Sequence, residues 1–293
     1  MRAELVILPA EDGRALGDVL RRRGFSRRLI CRLKNTESGM TRGGVLIKTV
    51  DRVAAGDEVI LAVPESSELT PVSELSVPVI YEDGEVVVFD KPADMPVHPS
   101  FKHQNDTLGN FFAARFEGLV FRPVNRLDRC TSGCVIIAKS QFAASALQGS
   151  FEKRYLAVCC GVPPREGVID APIARERDSI ITRCVREDGK PAQTRYRVLT
   201  ENGSYSLCEV TPLTGRTHQI RVHFAHIGFP LAGDSLYGGS CADIGRQALH
   251  CAEVGFVTPE DGERHTVRSP LPEDMRSLLP KISDPALYTL IFT

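Results

Sequence analysis

Nine consecutive residues, Asn125-Arg126-Leu127-Asp128-Arg129-Cys130-Thr131-Ser132-Gly133, set one carboxylate between two guanidinium groups in a stretch whose Thr, Ser and Gly favour a tight loop. A carboxylate flanked by positive charge is favoured in its ionised form. That suits Asp128 to act as a nucleophile or base rather than as a proton donor. Alone, such an aspartate is more often a surface ion pair than a catalyst. A second segment, Leu213-Thr214-Gly215-Arg216-Thr217-His218-Gln219-Ile220-Arg221-Val222-His223, gathers Arg216, His218, Gln219 and Arg221. The pattern predicts a helix over 217–227, opened by Gly215 and Thr217, and a helix start suits an anion such as phosphate. His218, His223 and His226 invite a metal, but their spacing is not His-Glu-x-x-His and no carboxylate joins them in that helix, so no metal is expected. Between the two segments, Lys153-Arg154-Tyr155 opens an apolar run. Tyr155 there is either a strand-edge residue satisfied by one hydrogen bond or a ring able to stack on a base turned out of its helix.

Positioning these groups falls to a β-rich stretch with scattered helices. Strands are predicted at 77–81, 86–89, 134–138, 155–160, 194–199 and 205–211, and helices at 107–116, 141–151 and 217–227. This points to an α+β domain over 77–293 rather than a regular βαβ repeat. A stretch at 64–76, rich in Pro, Ser and Glu, marks a linker.

The first 63 residues form a separate module by their charge. Between 14 and 48 stand Arg14, Arg21, Arg22, Arg23, Arg27, Arg28, Arg32, Lys34, Arg42 and Lys48, opposed only by Asp18 and Glu37. The whole-chain net charge of −1 conceals this block, which has the polarity that phosphate binding needs. Leu16, Val19 and Leu20 predict one helix, Gly24 breaks it, and Ser26 caps a second whose apolar side is Leu29, Ile30 and Leu33. Arg27, Arg28, Arg32 and Lys34 lie largely off that side. Short strands follow at 44–47 and 58–63, the second after Val53-Ala54-Ala55-Gly56-Asp57. Two short helices and a small basic-edged sheet over 13–63 resemble the S4-like RNA-binding module.

Composition narrows the classes. With 293 residues, 42% apolar and 25% charged, the chain has the make-up of a soluble globular protein of two domains. No window reaches the length of a membrane span, and Glu11 and Asp12 end the N-terminal apolar run before it could serve as a secretory leader. Nine cysteines without a Cys-x-x-Cys pair favour reduced thiols, and with them a cytoplasmic location. A monomer is the simplest assembly.

Taken in order, Asn-Arg-Leu-Asp with Thr-Ser-Gly, then Lys-x-Tyr, then Arg-Thr-His-Gln-Ile-Arg resemble the RluA-type family of RNA pseudouridine synthases. Lys91-Pro92 and His98-Pro99 precede the Asp128 loop in family order. Gly233-Asp234, Leu236-Tyr237-Gly238 and Leu249-His250 follow it. Three positions depart from the family pattern: Asn125 where His is frequent, Cys130 where an acid is frequent, and Asp94 where Gly is usual. The resemblance implies an α+β catalytic domain with a mainly antiparallel sheet and flanking helices, joined to the S4-like module. It implies an isomerase that needs no cofactor and acts on RNA. Large-subunit ribosomal RNA is the first expectation, with transfer RNA, or RNA binding without catalysis, as alternatives. A glycosidic hydrolase would need two working carboxylates, and the motif holds only Asp128. By the same resemblance Asp128 is the essential carboxylate, Arg221 pairs with it, and Tyr155 stacks on the uracil and assists removal of the C5 proton. Ile220 packs near the base and Arg126 meets phosphate or an ion pair. Arg216, His218, Gln219, Arg27, Arg28 and Arg32 are the further candidates for RNA contact.

Overall fold

The computed structural model describes residues 2–62, 69–100, 102–177, 179, 181–258 and 262–279. In the N-terminal unit, β1 (Arg2–Val6), β4 (Glu58–Ala62), β2 (Met40–Arg42) and β3 (Val45–Leu46) form an antiparallel sheet in that order. Helices α1 (Leu16–Arg22) and α2 (Arg27–Asn35) cover it. Ser26 caps α2 by accepting the Leu29 N–H at 3.2 Å, as expected. Leu16, Val19, Leu20, Leu29 and Leu33 then join Leu5, Val59 and Leu61 in one apolar core. β1 was not anticipated, although Ala3, Leu5 and Ile7 alternate towards that core. Asp57 closes the turn before β4 by accepting the Ala54 N–H at 2.8 Å and Arg42 Nη1 at 2.7 Å.

The stretch 64–76 divides. Residues 63–68 lie outside the described residues, whereas 69–76 is strapped to the following unit. Asn110 Nδ2 donates to the Thr70 carbonyl at 2.9 Å, and Leu69 and Leu75 pack on the large core.

The larger unit is built on one long sheet. Its strands are β5 (Val79–Glu82), β6 (Val86–Lys91), β7 (Ser132–Ala138), β8 (Glu152–Cys160), β9 (Glu166–Asp170), β12 (Gln193–Glu201), β13 (Tyr205–Pro212), β14 (Leu249–Val257) and β15 (Arg264–Arg268). They lie in the order β5-β6-β7-β14-β8-β13-β12-β9, with β15 beside β14. Every pairing is antiparallel except β7 with β14. The class is α+β, as the sequence led us to expect. A hairpin of β10 (Ile173–Arg175) and β11 (Arg183–Val185) stands apart from the long sheet.

Both faces of the centre are buried, so side chains sort by parity. On β8, Tyr155, Ala157 and Cys159 enter the large core, and Leu156 and Val158 enter a second cluster with Leu207, Ala252 and Met275. Helix α3 (Leu108–Arg115) matches its expected span, capped by Thr107. Helix α4 (Gln141–Leu147) stops four residues short of the expectation, and α5 (Gln219–His226) starts two residues late.

Candidate active site

The loop carrying Asp128 is tied down at three points. Asn125 does the work of a strand: its Nδ2 donates to the Cys134 carbonyl at 3.1 Å and its Oδ1 accepts the Ile136 N–H at 2.8 Å. The Thr131 N–H closes a turn onto the Asp128 carbonyl at 3.0 Å. Gly133, at φ 107°, lies so near β14 that a Cβ would fall 2.3 Å from the Cys251 carbonyl oxygen. Only glycine fits there. Beneath the loop, the fully buried Lys91 donates to the carbonyls of Pro92, Met95 and Arg129 at 2.7, 2.8 and 3.0 Å. Burial brings its pKa down to about 7. Asp94 takes the left-handed conformation, φ 63°, which explains why glycine would also suit that position, and it pairs with Arg129 at 3.3 Å.

The second segment approaches from the opposite side. Its helix begins at Gln219 rather than at Thr217, because His218, the N-cap, sits in the left-handed region at φ 57°. Arg216 and His218 therefore belong to the loop before α5, and Gln219, Ile220 and Arg221 to its first turn. Gln219 organises that loop. Its Oε1 accepts from Thr214 Oγ1 and the Arg216 N–H, and its Nε2 donates to the Gln193 carbonyl and Thr194 Oγ1. Its amide is thus committed on both sides, although Gln219 also lines the cavity described below. His223 is likewise spent, on Thr194 Oγ1 and the Ala171 carbonyl. The described residues contain no cluster of metal-ligating groups.

Arg221 joins the two segments. Its Nη1 donates to Asp128 Oδ2 at 3.1 Å, while Nε and Nη2 donate to Asp234 Oδ2 and Oδ1 at 2.7 and 2.9 Å. Burial works against the charge on Arg221, and the two carboxylates outweigh it, so its pKa stands above the ordinary arginine value. Asp234 was missed as a site residue. Its Gly-Asp context was visible in the sequence, but no spacing rule ties it to Arg221. His218 Nε2 lies 3.7 Å from Asp128 Oδ2, and its Nδ1 lies 2.7 Å from the Tyr237 hydroxyl.

These groups open onto a cavity of about 820 Å³ lined by Arg126, Arg129, Lys153, Arg216 and Arg221. Among the described residues that line it, Asp128 is the sole carboxylate. Tyr155 and Ile220, each nearly buried, supply apolar wall beside Leu249. Burial, and then the neighbouring Cys251, push the Tyr155 phenol well above the usual tyrosine value. Such a cavity can seat a flat, uncharged ring against Tyr155 and Ile220 while its basic rim meets phosphates. Arg27 and Arg32 lie elsewhere, exposed on α2, with Arg32 Nη1 donating to Gln141 Oε1 at 3.0 Å. The side chain of Arg28 is outside the described residues.

The sequence profile of the RNA pseudouridylate synthase family matches residues 85–226. The chain is 37% identical over 268 residues to an uncharacterized RNA pseudouridine synthase of Bacillus subtilis (strain 168), covering 87% of this chain and 95% of that one. It is 35% identical over 264 residues to the protein named ribosomal large subunit pseudouridine synthase D in Pseudomonas aeruginosa, covering 82% of each. Among solved structures, human RNA pseudouridylate synthase domain containing 1 superimposes with a TM-score of 0.61 at 28% identity, covering 76% of this chain and 97% of that chain.

Proposed function

Because the chain belongs to the family of RNA pseudouridine synthases, we propose that it modifies a uridine of large-subunit ribosomal RNA, with Asp128, Tyr155 and Arg221 carrying the reaction. Family membership makes it an isomerase converting uridine in RNA to pseudouridine. The N1–C1′ bond breaks, the base turns, and C5 joins C1′. The observation that carries the assignment of roles is the Asp128–Arg221 pair at the floor of a basic cavity with no second carboxylate in its lining. Asp128 serves either as the nucleophile at C1′ or as the base at the 2′ position. Arg221 orients it. Tyr155 offers its ring as a stacking face and assists removal of the C5 proton. Ile220 packs under the base, and the exposed Arg126 meets the backbone. Arg216, exposed at the rim and anchored through Nε to the Pro191 carbonyl at 3.0 Å, does the same.

Residues 1–63 act as an S4-like RNA-binding module and 77–293 as the catalytic domain. The separate N-terminal core and the exposed Arg27 and Arg32 support this division. Extruding a uridine costs a few kcal/mol, and phosphate contacts from a basic module help offset it. The relative named for the large ribosomal subunit favours ribosomal over transfer RNA as substrate. A monomeric cytoplasmic enzyme is the reading we keep, and the nine unpaired cysteines suit a reducing compartment. No helix among the described residues is long and apolar enough to cross a membrane.

Asp128→Asn tests the roles. Tritium release from C5-labelled uridine in a single turnover should vanish while RNA affinity stays within a few fold, since phosphates dominate binding. Arg221→Ala should also cripple turnover, and the double variant should be little worse than Asp128→Asn, because residues acting as a unit are not additive. Normal turnover by Asp128→Asn, in a protein that melts like the parent, refutes the assignment. Mapping pseudouridine in total cellular RNA with and without the gene identifies the target.

A further inference from the structure

Tyr237, in the Leu236-Tyr237-Gly238 segment, has no part in the roles above, yet it touches two residues beside Asp128. Its ring faces the Arg221 guanidinium, 5.0 Å from carbon to centroid. Its hydroxyl accepts the backbone N–H of Arg183 at 3.0 Å and lies 2.7 Å from His218 Nδ1. Arg183 occupies the oxygen as an acceptor, so the phenol proton is available to Nδ1. A neutral imidazole that accepts at Nδ1 carries its own proton at Nε2. Nε2 is the atom that faces Asp128, 3.7 Å away. The other tautomer would aim a bare lone pair at a carboxylate.

The charge count shows why a second donor is useful. Arg221 spends Nε and Nη2 on Asp234 and gives Asp128 only Nη1, so two carboxylates share one cation. His218 is also held at φ 57°, a conformation that a residue with a Cβ keeps only when its surroundings impose it. That backbone geometry turns its ring towards both Tyr237 and Asp128.

We propose that His218 is a positioning residue for Asp128: a neutral imidazole whose tautomer Tyr237 fixes, and whose Nε2–H closes onto the carboxylate when the nucleotide enters. Such tightening on substrate binding is common for hydrogen bonds at active sites. The inference rests on the reading that Asp128 does the chemistry. It also sets an acid limit. Protonated His218 would become a second cation against Asp128 and tie up the electron pair that the reaction needs. Among the described residues that face the ring, the charges of Asp128 and Asp234 favour its protonation, those of Arg221 and Arg183 oppose it, and the Tyr237 hydroxyl favours the neutral form. Burial outweighs the nearby carboxylates and holds the imidazole below its ordinary value of 6.5.

The test uses the full-length enzyme and single-turnover tritium release from C5-labelled RNA across the acid range, with filter binding and a melting curve for each variant. Tyr237→Phe removes the donor to Nδ1, so the acid limb of the rate should move up by at least about half a pH unit, with RNA affinity unchanged within a few fold. His218→Gly relieves the backbone and deletes the ring; the rate should fall roughly ten- to a hundredfold. His218→Asn tolerates the left-handed backbone and presents an amide N–H that does not titrate. It should recover part of that loss, with a flatter acid side than the parent. The inference is overturned if the acid limb of Tyr237→Phe stays in place, or if His218→Gly turns over like the parent. Should Tyr237→Phe fail to fold, the comparison of His218→Gly with His218→Asn decides alone. Asp128→Asn is run beside them: an active Asp128→Asn overturns the functional reading, whereas an inactive one beside a fully active His218→Gly overturns only the role of His218.

Discussion

Replacing Asp234 by Asn keeps the shape of the side chain and one acceptor oxygen but removes a negative charge whose side chain is 1% exposed. Arg221, 7% exposed, then loses one of its two hydrogen bonds to that residue and meets an amide NH₂ where it had an acceptor. Breaking a buried ion pair costs about 3–5 kcal/mol, and the retained bond lowers the expectation to about 2–4 kcal/mol. For a domain of this size that is a fall in Tm of roughly 5–15 °C. Function should suffer separately. Freed from Asp234, the guanidinium is drawn to Asp128, and a displacement of about 1 Å at a reacting group can cost on the order of a hundredfold in rate. The assay is a thermal melt followed by circular dichroism, with single-turnover tritium release measured well below the variant's Tm. Asp128→Asn is the control, because Asp128 is 29% exposed and its loss should move Tm far less. A Tm within about 2 °C of the parent, with normal turnover, would refute the idea that Asp234 anchors Arg221.

Gly133→Ala should destabilise by about 3 kcal/mol or more, since the new Cβ meets the backbone of Cys251 at φ 107°, and neither chain can yield cheaply. A urea midpoint equal to the parent's would contradict the close approach of β7 and β14. His250, buried between Ser132 and Ser269, has its pKa pushed down to about 4 by burial. The unfolded chain therefore takes up this proton near 6.5 and the folded chain only near 4, so stability should fall by up to roughly 3 kcal/mol as pH drops across that window and level off below it. His250→Gln cannot titrate and should flatten that fall. An equally steep loss in the variant, measured by urea midpoints at the two ends of the window, would assign the effect to other groups.

Local rules read the parts of this site that local rules govern. Ser26 caps the helix it precedes, and the apolar run after Gly133 forms the expected strand. Asn125 finds its partners nearby in sequence, at Cys134 and Ile136. What stayed hidden depends on partners far along the chain. α5 starts late at the left-handed His218, in a loop that Gln219 pins to residues 193 and 194, which no window around 217 contains. Asp234 acquires its role only when α5 brings Arg221 to it. β1 carries a faint two-residue alternation that pairing with β4 makes into a strand. The segments 173–175 and 183–185 are too short to show any period, and they form strands because they pair with each other.

The parallel pairing of β7 with β14 has a consequence for when activity can appear. Ser132, four residues after Asp128, is in register with His250, and the two side chains meet across 118 positions of sequence. Arg221 reaches Asp128 across a further separation of 93. Contacts of such span form late, because closing long loops costs entropy before any contact rewards it. During synthesis the N-terminal unit can complete its core while the rest is still being made. The loop that presents Asp128 cannot, since the strand it leans on follows it by 118 positions. A ribosome-bound chain halted before residue 249 would thus carry a folded N-terminal unit but an unassembled catalytic centre. Birth of the enzyme and onset of catalysis are separated in time by the order of its strands.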